Sequence, residues 1–171
     1  MRRRVLTWAL PLVAIGALGL GAAMAATASM SSSRGTVMVA KVSKFGKVLV
    51  AQNGHTLYRY TPDKKRLSVC KGACLAFWPP LLVKAGVKPT AGAGANAHLV
   101  GTIKAAHGKL QVTYAGFPLY FFLKDTKAGQ TSGQGFEGKW YVVSAKGALV
   151  KHGTKGTAPA PAPTTTTSAW G

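Results

Sequence analysis

The residues best suited to chemistry in this sequence are two cysteines and two aspartates. Cys70-Lys-Gly-Ala-Cys74 contains the only two cysteines, and a free pair of thiolates can act as a redox dithiol or bind a soft metal. Asp63 and Asp125 end two similar stretches, GHTLYRYTPD (54–63) and GFPLYFFLKD (116–125). Two carboxylates brought together can act as acid and base or as metal ligands. The chain therefore places two of its three acidic residues in one duplicated pattern.

The cysteine spacing favours a structural disulfide. Two lone cysteines in an exported chain usually pair, and Gly72 allows the sharp path that a short bridge needs. Closing a ring of about five residues stabilises the fold by roughly 2 kcal/mol on the chain-entropy model. The spacing excludes thioredoxin-like and c-type haem motifs. The alternative is a copper site that uses both cysteines and recruits one of the four histidines, which are His55, His98, His107 and His152.

The position of each aspartate favours a bracing role. Alternate residues of a strand share a face, so Tyr58 and Tyr60 point the same way, as do Tyr120 and Phe122. The aspartate follows the strand where the chain turns, and its carboxylate can accept turn N–H groups. We expect it also to accept the hydroxyl of a tyrosine in the other copy. The functional alternative places the two carboxylates together near a pseudo-twofold axis.

An internal duplication explains why these patterns occur twice. With a shift of 62 residues, 46–86 matches 108–148 without a gap, and the matched pairs include Trp78 and Trp140. Matched tryptophans predict packing in a core or between the two units. An exposed aromatic platform for a sugar or a quinone is the alternative.

The elements around these residues read as β-structure. Segments 36–42, 47–52, 55–61, 98–104, 109–114, 118–123 and 139–145 alternate or are β-branched, and 148–150 is a candidate for a short last strand. Segment 70–78 is the best candidate for one helical turn, and 84–97 reads as a Gly/Ala-rich connector. Pro79 and Pro80 predict an edge strand or an extended segment. We predict an all-β fold of two tandem antiparallel units, 36–84 and 98–150, packed as a sandwich or small barrel.

The two ends of the chain read as non-globular. Residues 1–25 have the basic, apolar and small-residue regions of a secretory signal peptide, with an uncleaved anchor as the alternative. Residues 26–35 form a linker, 36–155 the duplicated domain, and 156–171 a Pro/Thr-rich disordered tail. We therefore expect a secreted protein of the periplasm, the cell wall or the extracellular space.

The charge of the chain points to anionic partners. The formal net charge is +19, and loss of three arginines with the signal peptide leaves about +16. Such a field attracts anionic cell-wall polymers and lipid head groups. The lysines are spread along the chain, and export places the protein away from the genome, so we expect no nucleic-acid partner. A solvated basic surface without a ligand is the alternative.

The combined motifs resemble those of a known family. The order is G-x-x-L-Y-x-[aromatic]-x-x-D, then C-x-G-x-C-x-x-x-W-P-P, then a second L-Y-x-F-x-x-D and G-x-W-Y-V-V-S. This order is similar to that of bacterial secreted repeat proteins, predicted envelope lipoproteins with a Y-x-[FWY]-x-x-D motif and no assigned function. The resemblance covers about 36–150 and implies an exported envelope β-protein. The chain lacks the lipidation cysteine of the lipoprotein members.

These observations favour a binding or structural role over catalysis. The sequence contains no phosphate loop, nucleophile elbow or zinc protease motif, so we predict no catalytic residue, cofactor or metal. We expect a non-enzymatic envelope module that binds an anionic surface polymer or a partner protein. A redox or copper-handling protein centred on Cys70 and Cys74 is the alternative.

Overall fold

A computed structural model describes residues 35–42 and 44–152 of the chain. The predicted signal peptide, nearly all of the linker and the tail at 156–171 lie outside these residues. In the part of the chain that is described, no helix is long and apolar enough to cross a membrane.

The described residues form short antiparallel strands with little helix. The strands are β1 (Val37–Val42), β2 (Gly46–Ala51), β3 (Tyr58–Tyr60), β4 (Leu82–Val83), β5 (Val100–Lys104), β6 (Leu110–Tyr114), β7 (Phe117–Pro118) and β8 (Trp140–Val142). One helix, α1 (Ala73–Phe77), lies where a helical turn was expected. Single 3-10 turns cover Ala97–Leu99, Ala106–Gly108 and Phe136–Gly138.

Each half of the domain begins with a β-hairpin, and the two hairpins are built alike. Strand β1 pairs with β2, and β5 pairs with β6. Val48 bridges Ser144 in one half, and the corresponding bridge in the other half joins Gln111 to Leu82. Each residue of the first hairpin thus occupies the same place as the residue 63 positions later in the second hairpin. For the segments after Gly54, equivalent residues are 62 positions apart. The extra residue lies in the turn after β2, which the second copy replaces with the tight turn at Ala115 (φ 50°) and Gly116 (φ 83°).

The two halves meet at a pair of equivalent tyrosines. The N–H of Tyr58 donates to the carbonyl of Tyr120 (2.8 Å), and the N–H of Tyr120 donates back (3.0 Å). Strand β3 then pairs with β8 of the other copy. By the same symmetry, Pro80 of the first copy bridges Tyr120. Each copy therefore completes the sheet of the other.

The extended segment after β7 departs from a regular ladder. Its successive N–H groups bond to three different segments: Leu119 to Val112, Tyr120 to Tyr58 and Phe121 to Pro79. The sequence predicted one strand over 118–123, whereas the regular strand in this region covers only Phe117–Pro118. The segment is nevertheless central, because four of its side chains are almost fully buried: Leu119, Tyr120, Phe121 and Phe122.

Two hydrophobic cores lie on opposite faces of this central crossing. One is mainly aliphatic and contains matched pairs from the two copies, such as Leu57 with Leu119 and Leu81 with Val143. The other is aromatic and contains Tyr58, Trp78, Tyr120, Phe122 and Trp140. The prediction of an all-β fold made of two tandem units is confirmed. In the described residues the strands form several small sheets and do not close into a barrel.

The connector between the copies has a structural role that its composition did not reveal. Ala91 forms a parallel bridge with Val37, and the N–H of Val39 donates to the carbonyl of Ala93 (2.9 Å). A Cβ at Gly92 would lie 2.6 Å from Met38 Cγ, so a larger residue there would require the Met38 side chain to move. The connector thus covers an otherwise open sheet edge.

Candidate functional site: the tyrosine–aspartate centre and the basic groove

Each aspartate accepts a hydrogen bond from a tyrosine of the other copy. The hydroxyl of Tyr58 donates to Asp125 Oδ2 (2.5 Å), and the hydroxyl of Tyr120 donates to Asp63 Oδ2 (2.6 Å). The second oxygen of each carboxylate accepts a backbone N–H, that of Ser132 for Asp125 (2.9 Å) and that of Val69 for Asp63 (2.7 Å). Each aspartate thereby ties the loop that follows it to a tyrosine across the pseudo-twofold axis.

The donors differ from the expected turn N–H groups by their distance along the chain. Ser132 lies seven residues after Asp125, and Val69 lies six residues after Asp63. The aspartates therefore close whole loops rather than single tight turns. Because each carboxylate is engaged by a tyrosine and a loop N–H, this arrangement stabilises the fold and leaves little capacity for a ligand.

Burial governs the protonation of these groups. Asp63 is 5% exposed, and loss of solvation raises its pKa, while the hydrogen bonds from Tyr120 and Val69 and the charge of Arg59 act in the opposite direction. Burial raises the pKa of Tyr58 far above its ordinary value, and its hydrogen bond to Asp125 raises it further. Burial and the bond to Asp63 raise the pKa of Tyr120 in the same way.

These shifts predict loss of stability in alkali. A group whose pKa is raised in the folded state stabilises the fold below its unfolded pKa, about 10 for tyrosine, and that stability is lost as the pH rises further. We expect the free energy of unfolding to fall above about pH 10 and Tyr58 and Tyr120 to ionise only as the chain unfolds. Ultraviolet absorbance of tyrosinate, followed together with circular dichroism, measures both events. In the double variant Y58F/Y120F the decline should be less steep; an unchanged decline would contradict the assignment.

The predicted aromatic residues form one stack across the pseudo-twofold axis. Trp78 and Trp140 lie face to face, with ring centroids 3.8 Å apart and planes 1° from parallel. Phe122 stacks on the outer face of Trp78 and Tyr60 on the outer face of Trp140, each with centroids 4.4 Å apart. Both tryptophans are 2% exposed. They are core residues, and their buried faces cannot form an open platform for a sugar or a quinone.

The two cysteines are joined as a disulfide. The Cys70–Cys74 bridge spans the start of α1, with Cα atoms 5.4 Å apart. Both sulfurs are used in this bond, so neither is a thiolate ligand in the oxidised protein. Within the described ranges, no group of three or more histidine, cysteine, aspartate or glutamate side chains is arranged to hold a metal ion.

A basic groove, which the sequence did not predict as a site, crosses the face of β5 and β6. It consists of three adjoining depressions, of which the middle one shares Arg66 with one neighbour and Lys71 and Lys104 with the other. Lys65 and His98 line one end, and His107 and Lys109 line the other. None of the described residues that line it is a carboxylate. The sequence did not indicate this groove, because its basic residues lie far apart along the chain. Only the packing of the two copies brings 65–71 beside 98–110.

The three acidic residues lie where they add no negative charge to the lining of this groove. Asp63 and Asp125 are buried, with 5% and 1% exposure, and each is engaged in its own loop. Glu137 lies 3.6 Å from Lys139 and lines a different depression, near α1. The groove therefore faces solvent with positive charge, and none of the described residues that line it carries a negative charge.

The fold and these two features define a duplicated all-β protein with an intertwined aromatic and carboxylate centre. The family model for a secreted repeat of unknown function matches residues 31–82 and 101–144, which are more than half of the chain. The chain belongs to this family, and the protein is exported. Comparisons with curated proteins and with solved structures found no match.

Proposed function

We propose that this exported protein is a non-enzymatic binding module for an anionic surface polymer, which lies along the basic groove. One observation carries the proposal: the chain has 22 lysines and arginines but three acids, and the fold buries two of those acids. The exposed groove thus concentrates positive charge. A chain of phosphates or carboxylates is complementary to it.

The shape of the groove favours a polymer over a small ligand. Its three depressions run from Lys65 and His98 at one end to Lys109 at the other. Lysine side chains act as flexible point charges that can follow a repeating anion without fixed geometry. The tyrosine–aspartate centre does not contribute, because it is buried and serves the fold.

Binding of poly(glycerol phosphate) tests this proposal. We expect saturable binding at low ionic strength that weakens steadily as salt is added, because exposed charges are screened over about 10 Å at 0.1 M salt. The variant K65Q/R66Q/K71Q/K104Q should bind at least tenfold more weakly. A control variant with the same loss of charge outside the groove, K41Q/K47Q/K124Q/K151Q, should lose no more than about threefold, since only general attraction declines.

Two results would contradict the proposal. Absence of poly(glycerol phosphate) binding to the wild-type protein at low salt would remove its basis. Equal losses in the groove variant and the control variant would show that net charge alone, and not the groove, attracts the polymer.

A further inference from the structure

One end of the basic groove contains a pocket whose lining is apolar as well as basic. This β4 pocket has a volume of about 500 Å³. Its apolar wall includes Cys70, Leu75, Pro80 and Leu82, and its rim carries Lys71, Lys104 and Lys109. A pocket that combines an apolar wall with a basic rim suits an amphipathic, negatively charged occupant.

The pocket lies at an edge of the sheet. The order of the strands is β4-β6-β5, so in the part of the chain that the structure describes β4 pairs with β6 on one side only. Pro80 and Leu82, on this edge, line the pocket. An open strand edge offers backbone N–H and carbonyl groups that an extended peptide can pair with.

The other half of the domain shows how an equivalent edge is filled. Val142 and Ser144, the counterparts of Pro80 and Leu82, pair with the chain's own residues 148–150. The N–H of Val150 donates to the carbonyl of Val142 (3.0 Å), and the N–H of Ser144 donates to the carbonyl of Ala148 (2.9 Å). Val150 and Phe45 pack against the aromatic core there.

Within residues 35–42 and 44–152, no corresponding segment lies at the edge of the first copy. After β4 the chain turns at Lys84–Val87 and runs to β1, where Ala91 bridges Val37. The place that Val150 fills in one half thus corresponds to the β4 pocket in the other. The duplicated fold thus contains a strand position that the described residues occupy in one copy and leave open in the other.

We propose that the β4 pocket binds an extended, acidic segment of a partner protein by strand addition to β4. An aliphatic side chain of the segment enters the pocket in the way that Val150 packs in the other half. Its acidic residues lie against Lys71, Lys104 and Lys109. The inference concerns a protein partner and does not depend on binding of the polymer.

The peptide DEALVED is a direct probe, because it places the sequence of residues 148–150 between acidic residues. We expect saturable binding by fluorescence anisotropy. Methylation of the valine N–H removes the donor that would pair with the carbonyl of Pro80, and binding should weaken about tenfold, the equivalent of one hydrogen bond. Hydrogen exchange at the Leu82 amide should slow when the unmethylated peptide is bound.

Matched charge reversals locate the site. K104E should weaken binding of DEALVED about tenfold, because attraction becomes repulsion at the rim. K41E makes the same charge change at the equivalent position of the filled half and should alter affinity by no more than about twofold. Lys41 and Lys104 are both exposed strand residues, so both variants should fold.

Three outcomes would overturn the inference: no saturable binding of DEALVED to the wild-type protein, equal binding of its N-methylated form, or equal effects of K41E and K104E. Binding of dodecyl phosphate at this pocket without binding of DEALVED would also overturn it, since the pocket would then be a site for anionic amphiphiles. The variant K65Q/R66Q separates this inference from the proposed function. Lys65 and Arg66 lie outside the pocket, so the variant should weaken polymer binding and leave peptide binding unchanged.

Discussion

Replacing Asp125 by asparagine should destabilise the protein more than the same replacement of Asp63. We expect D125N to lower the free energy of unfolding by about 3 kcal/mol and D63N by about 1 kcal/mol, the two ends of the range for a buried polar group that loses its hydrogen-bond partner. Urea denaturation at neutral pH measures both losses. The two aspartates end the same sequence motif, so the difference tests the contacts that each one makes.

The asymmetry arises from the second contact of each tyrosine hydroxyl. The hydroxyl of Tyr120 lies 2.7 Å from Ser68 Oγ. Ser68 Oγ can therefore accept a hydrogen bond from Tyr120 when the carboxylate is replaced. The hydroxyl of Tyr58 instead receives the N–H of Gly133 (3.3 Å), so it has no second acceptor there. In D125N the amide nitrogen can face the Tyr58 hydroxyl, and a buried O–H then lacks a partner.

The direction of the pKa shift at Asp63 also limits the expected cost of D63N. Because burial raises the pKa of Asp63, its ionisation opposes folding, and the contribution of this group to stability falls as the pH rises through the folded pKa. D63N removes that charge and recovers part of the lost stability at neutral pH. The loss in D63N relative to the wild-type protein should therefore increase as the pH is lowered through the folded pKa.

Variants that remove a second group serve as controls. S68A/D63N should lose clearly more stability than the sum of S68A and D63N, because Tyr120 then loses both the carboxylate and the Ser68 hydroxyl as acceptors. Equal losses in D63N and D125N would contradict the assigned contacts. Loss of ligand binding with unchanged stability would instead favour the reading of Asp63 and Asp125 as a functional pair.

The sequence was informative where the two copies agree. The sequence predicted a repeated unit whose carboxylate meets a tyrosine of the other copy. This prediction rested on matched residues: Tyr58 and Tyr120, Asp63 and Asp125, and the aromatic pairs. The structure places the tyrosine hydroxyls and the carboxylates in contact. Duplication makes such inferences strong, because one local pattern has to satisfy the same physical requirement twice.

The sequence was uninformative where the copies differ. One sheet edge is covered by 148–150, whereas the edge beside Pro80 is open. This difference follows from the path of the chain after β8 and after β4, and no local sequence pattern indicates the path of a Gly/Ala-rich connector. The basic groove has the same origin, because its lysines are distant in sequence and only tertiary packing brings them together. The one-residue difference between the hairpins was likewise hidden by chance identities at a shift of 62.

The largest loss of stability should follow from W78A. Trp78 contacts four other rings: it stacks on Trp140 and Phe122 and meets Tyr58 and Phe136 edge to face. Removing a buried tryptophan typically costs about 3–5 kcal/mol, because apolar contacts are lost and a cavity remains. We expect W78A to lie near the upper end of that range in urea denaturation.

Two further variants decide whether the stack itself is responsible. W140A should lose less than or as much as W78A, because Trp140 contacts three rings, those of Tyr60, Trp78 and Tyr120. F77A removes an aromatic side chain that is 52% exposed and lies beside the stack, and it should change stability by less than about 1 kcal/mol. A loss in F77A as large as that in W78A would mean that aromatic content near α1, and not the buried column across the pseudo-twofold axis, holds the two copies together.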